Sequence, residues 1–188
     1  MKKIIIVVMV LALVATSATA TVLSVPDSYS TIQAGINAAN EGDTVIVADG
    51  VYEGTGNCAI NYYGKSIVVM SENGPDDCII TCGGQAQGFI FISGETNVAV
   101  LQGFTVTSGS AINGGGIHIA NSSPTIMRCI FWNNNAGNGG GVYVNSGDPR
   151  FINCTICQNS ATSGGAIYLV NSDMVINSCI IAQNSASG

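Results

Sequence analysis

Few side chains in this sequence could do chemistry, and they are scattered. There is one histidine, His118, against seven cysteines, eleven acidic residues and five basic ones in 188 positions. Acid–base hydrolysis needs two or three carboxylates close together. Beyond Glu95 the only charged residues are Arg128, Arg150, Asp148 and Asp173. Asp148 and Asp173 lie 25 residues apart in one column of a repeat, and the two arginines fall in different columns. The aspartates read either as a calcium-bridging pair or as solvated turn residues that cap local backbone. Cys154 and Cys157 form a lone CxxC with no second pair, so no zinc site is expected. His118 reads as an outward strand residue whose column continues as Tyr143 and Tyr168. No catalytic residue, metal or cofactor is assigned.

The elements that position these residues come from an ungapped repeat. Gly116-Ile117-His118-Ile119 stands over Gly141-Val142-Tyr143-Val144, and that over Ala166-Ile167-Tyr168-Leu169. The columns Ile126/Phe151/Ile176, Cys129/Cys154/Cys179 and Asn134/Asn159/Asn184 keep the same 25-residue step. A fixed period of this size means stacked units. Within a row apolar and polar residues alternate, and the apolar positions are β-branched or aromatic, which is strand character. Each row is therefore two or three short strands, with a glycine-rich return over 133–140. Stacked rows pair in parallel, about 4.8 Å apart. The fold class that follows is all-β: a right-handed parallel β-helix, the hand taken from the rule for parallel crossovers. The asparagine column reads as a ladder of stacked amides. The cysteine column reads as buried, reduced thiols.

Upstream the period loosens, and the segment Ser30–Asn40 differs. Ser30 and Gln33 fit a capping box, and Ile32, Ile36 and Ala39 share one helical face. An amphipathic helix there, over Thr31–Asn40, would cover the open first coil. The N-terminus has Lys2 and Lys3, an apolar run from Ile4 to Val14, and the small-residue site Ala18-Thr19-Ala20, which reads as a secretory signal. The expected organisation is a signal peptide at 1–20, an N-terminal cap of helix and first strand at 21–50, and β-helix coils at 51–188. Gly188 falls within a return, so the coils read as truncated at the C-terminus. Export allows disulfides, and one is expected among Cys58, Cys78 and Cys82. Losing Lys2 and Lys3 takes the formal charge from −6 to −8. No basic patch remains, so nucleic acid and anionic membrane surfaces are excluded as partners. The mature chain holds no transmembrane segment.

The segment Ser30 to Ala39, followed by Gly42-Asp43-Thr44-Val45-Ile46-Val47 and Gly50-Val51-Tyr52, resembles the N-terminal cap of pectin-lyase-like β-helix proteins. Gly64-Lys65-Ser66-Ile67, Ser71-Glu72-Asn73-Gly74-Pro75, Gly103-Phe104-Thr105-Val106 and Ser123-Pro124-Thr125-Ile126 look like exported bacterial right-handed parallel β-helix repeat proteins. Phe131-Trp132-Asn133-Asn134 and Gly164-Gly165-Ala166-Ile167 are similar to the two four-residue motifs of the chlamydial polymorphic outer-membrane proteins. The resemblance implies fold and export, with an extracellular, outer-membrane or cell-surface location. It does not imply one reaction, because the fold hosts lyases, hydrolases, esterases and surface proteins. The expected function is a non-catalytic, secreted or surface-displayed structural or adhesive module contacting glycans or cell surfaces. The contact residues are expected to be His118, Tyr143 and Tyr168, offering flat ring faces to sugars. Self-association through the open C-terminal coil is a further expectation. The alternative is a polysaccharide-active enzyme of the pectate or pectin lyase type, with its catalytic coils beyond this chain.

Overall fold

A computed structural model describes residues 19–188. The signal-segment expectation for 1–20 lies outside them except for its last two residues. The described chain is a parallel solenoid of four sheets. The first sheet has seven strands, Val22–Val25, Thr44–Val47, Val68–Ser71, Val100–Gln102, Thr125–Met127, Arg150–Ile152 and Val175–Asn177, so the rod has seven coils. The second sheet has six strands, ending with Ile130–Trp132, Thr155–Cys157 and Ile180–Ala182. The other sheets have four and five strands.

The register is the one the rows imply. Ile126 pairs with Phe151 and Phe151 with Ile176; Phe131 pairs with Ile156 and Ile156 with Ile181. Period-two alternation sends every second side chain of a strand inward, two in Ile117–Ala120 and one in Thr125–Met127. Ile117, Ile119, Ile126, Phe131, Val142, Val144, Phe151 and Ile156 are fully buried. Each such side chain contributes about 1.5–3 kcal/mol on removal from water.

The glycine-rich return over 133–140 holds more structure than the two or three strands per row expected. It contains a fourth strand, Asn135–Asn138, paired with Ser110–Asn113 and Ser160–Ser163. Asn, Ala, Gly and Ser favour strands poorly. Here the backbone ladder between neighbouring coils in register overrides local preference. From Val100–Gln102 to Ile180–Ala182 each strand is followed by a residue with left-handed backbone, which turns the chain sharply. Gly114, Gly139 and Gly164 hold one corner at φ of 65°, 65° and 64°. The other corners are held by Asn121, Ser146 and Asn171, by Arg128, Asn153 and Ser178, and by Asn133, Gln158 and Gln183. Cys129 sits just past the Arg128 corner, so it lies between strands rather than within one.

Inside the turn the asparagine ladder is present. Asn134 Nδ2 donates to Asn159 Oδ1 at 3.0 Å, and Asn159 Nδ2 to Asn184 Oδ1 at 2.9 Å. Each amide also serves the backbone: Asn159 Oδ1 accepts from Asn134 N, and Asn159 Nδ2 donates to Phe131 O. Buried polar groups must be paired in this way to be tolerated. Glu95, also buried, is the acidic counterpart. Its carboxylate accepts from Gly64 N, Ser93 N and the Ser122 hydroxyl, tying three coils together.

The helix at the first coil spans Ile32–Ala38, with Ile32 and Ile36 fully buried. Its N-cap is Thr31, one residue past the Ser30 expected, and its hydroxyl accepts from Ala34 N at 3.1 Å; with alanine at that position no capping box forms. Gln33 is not half of a box. Its side-chain amide accepts from Asn61 N and donates to Asn61 O, which satisfies the edge of the strand Ile60–Asn61. A strand the sequence reading overlooked, Val22–Val25, precedes the helix and pairs with Thr44–Val47.

Candidate functional site

The five-stranded sheet carries the aromatic column. His118 pairs with Tyr143 and Tyr143 with Tyr168. The His118 and Tyr143 rings meet edge-on at 5.1 Å, and Tyr143 and Tyr168 stack at 6.0 Å with 6° between planes. The structure brings all three together. It does not open their faces to solvent as the sequence reading expected. Strand spacing puts ring on ring, and Tyr143 is only 9% exposed. Tyr143 and Tyr168 lie face to face, while His118 meets Tyr143 edge to face.

What does open to solvent is a cleft of about 450 Å³ beside His118. Gln85, Gln87, Ser110, Ile112 and Asn113 line it with the imidazole, and no lining residue is charged. Ile112 stands 82% exposed. Asn113 is steadied by Asn138, whose Nδ2 donates to Asn113 Oδ1 at 3.0 Å. A second cleft of about 460 Å³ runs on over Ala136, Gly137, Ala161 and Thr162, and Ala111 lines both. Burial lowers the pKa of His118 below 6.5, so the ring is neutral at neutral pH. The sequence reading missed Gln85, Gln87, Ile112 and Asn113. One signal was available: Ile112 is the single large apolar residue of its column, where the next rows have Gly137 and Thr162.

The other reactive residues serve the fold. Asp148 Oδ1 accepts from the Asp173 backbone N–H at 2.9 Å, and Asp148's own N–H donates to Ser123 Oγ. That is the backbone-capping alternative for this pair. Among the described residues no cluster of three or more metal-ligating side chains occurs. Arg128 lines a small cleft with Glu72, Asn73 and Gln102, while Arg150 starts a strand in another column. Cys129 and Cys154 are buried free thiols and Cys179 is half-buried. Burial pushes the Cys129 thiol up to about 12 and the Cys154 thiol further, so neither is a nucleophile at neutral pH. The disulfide expected among three cysteines joins Cys58 to Cys82, and Cys78 points into the core as a free thiol.

The sequence pattern of the right-handed β-helix region matches residues 76–188, more than half of the chain. This chain belongs to that family of β-helix repeat proteins. No curated protein and no solved structure matches it.

Proposed function

We propose that this protein is an exported, non-catalytic β-helix module that contacts uncharged glycans at or near a cell surface. The observation that carries the reading is the charge-free cleft beside His118. Its amides, hydroxyl and neutral imidazole match the donors and acceptors of sugar hydroxyls. Ile112 supplies an apolar platform at the rim. Tyr143 packs against the imidazole, and Tyr168 stacks on Tyr143 behind it. A uronic-acid polymer would need cationic groups or bridging calcium, and nothing lining the cleft answers that need. The export signal supports an extracellular, outer-membrane or cell-surface location. The motifs quoted above support kinship with exported bacterial proteins of the pectin-lyase-like superfamily, and at greater distance with the chlamydial repeats.

A glycan array with neutral and acidic members tests this. The wild type is expected to bind neutral glycans. His118→Ala and Ile112→Ser are each expected to bind about tenfold or more weakly, which is ~1.4 kcal/mol, with unchanged circular dichroism. Binding should hold through neutral pH and weaken only after acidification below 6.5, the ordinary value that burial lowers in His118. Stability moves the same way. The unfolded chain takes up the proton first, so stability falls as pH drops from 6.5 through the folded value. Equal binding by all three proteins, or binding confined to acidic glycans, overturns the proposal. Turnover of pectate, pectin or alginate, with or without calcium, overturns its non-catalytic part.

A further inference from the structure

The sequence contains three Asn–Gly pairs, Asn73–Gly74, Asn113–Gly114 and Asn138–Gly139. Such pairs are prone to one reaction. The glycine amide nitrogen attacks the asparagine Cγ, forming an N–Cγ bond and giving its proton to solvent. The Cγ–Nδ2 bond breaks and ammonia leaves. Water then opens the cyclic imide at either carbonyl, leaving aspartate or isoaspartate. The attacking nitrogen must be free of other partners, and the local backbone must be able to fold onto the side chain.

The structure separates the three sites. Gly114 N donates to Asn138 O at 2.9 Å, and Gly139 N to Ser163 O at 2.9 Å. Both lie just after strands of the four-stranded sheet, and the Asn113 and Asn138 side chains are bonded to each other. Gly74 is different. Its N–H has no acceptor among the described residues. It follows a bend outside any strand, at a φ of 122° that side-chain-bearing residues rarely adopt. Asn73 is exposed, with a single side-chain bond from Nδ2 to Asp49 Oδ2 at 2.9 Å.

We propose that Asn73–Gly74 is a self-acting modification site, converting to aspartate or isoaspartate in the folded protein while the solenoid protects the other two pairs. Conversion deletes the amide donor facing Asp49 and sets like charges there. It also adds a carboxylate, beside Glu72, to the small cleft lined by Arg128. The site is thus a slow charge switch on a segment already rich in acid: Glu72, Asp76 and Asp77.

The test is peptide mapping by mass spectrometry after prolonged incubation in mildly alkaline buffer, with native and urea-unfolded protein side by side. In the native protein Asn73 is expected to convert about tenfold or more faster than Asn113 or Asn138, whose reaction must wait for local opening. In the unfolded chain all three should convert at similar rates. Asn73→Gln should abolish conversion at that position and leave the other two rates unchanged. Conversion of Asn73 only after unfolding overturns the proposal, as do equal rates at all three sites in the native protein.

Discussion

Arg128 occupies a corner at φ 49°, where the equivalent residue one coil earlier is Gly103 at φ 80° and one coil later Asn153 at φ 53°. A left-handed backbone costs about 1–2 kcal/mol for an ordinary L-residue and little for glycine. Arg128→Gly is therefore expected to stabilise the protein by about 1 kcal/mol after the added freedom of the unfolded chain is counted. A higher urea midpoint at constant slope would show it. A lower midpoint would mean that the arginine's contacts in its cleft outweigh the strain. The corner residues Ser146, Gln158 and Gln183 stand under the same constraint.

The capping helix depends on a residue distant in sequence. Lys65 Nζ donates to Ile36 O at 2.7 Å, Asn37 O at 2.9 Å and Ala39 O at 2.7 Å. These are carbonyls at and just past the helix C-terminus, which lack helical partners and carry the negative end of the dipole. Lys65→Met keeps the stem and removes three charge-assisted bonds, so a loss of about 2 kcal/mol is expected. Amide exchange should quicken first in Ile32–Ala38; uniform quickening over all coils would contradict a local capping role. Elements of this sort mark the limit of what the sequence discloses. The helix face and the 25-residue rows were legible because burial repeats at a fixed period. Lys65, Gln33 and Glu95 were not, because each bonds to backbone more than 25 residues away and leaves no periodic trace. The strand Asn135–Asn138 was hidden by its composition. The aromatic column was legible as a column, but not the way its rings turn on one another. The cleft beside His118 was hidden because Gln85 and Gln87 fall where the period loosens.

At the scale of the whole rod the two ends differ. One is closed by Ile32–Ala38. At the other, Ile176 and Ile181 are each 45% exposed, although Phe151 and Ile156 in the same columns are fully buried. The 188-residue chain as it stands is expected to self-associate through that face. With the opposite end capped, like must meet like. A two-fold dimer therefore results, rather than an open filament. Light scattering across a concentration series should show mass rising to that of a dimer. A monomer at every concentration would exclude this association, and steadily growing aggregates would exclude its two-fold form.

The constant step between coils has a consequence for growth. Ile126, Phe151 and Ile176 occupy one line along the rod, as do His118, Tyr143 and Tyr168. Tandem duplication of one row of 25 residues would lengthen the rod by about 4.8 Å and leave every such line at its original bearing. Insertions of other lengths must be looped out or they rotate everything downstream. The gene for such a chain can thus count in whole turns, and the rod can be lengthened without re-aiming any line of side chains along it.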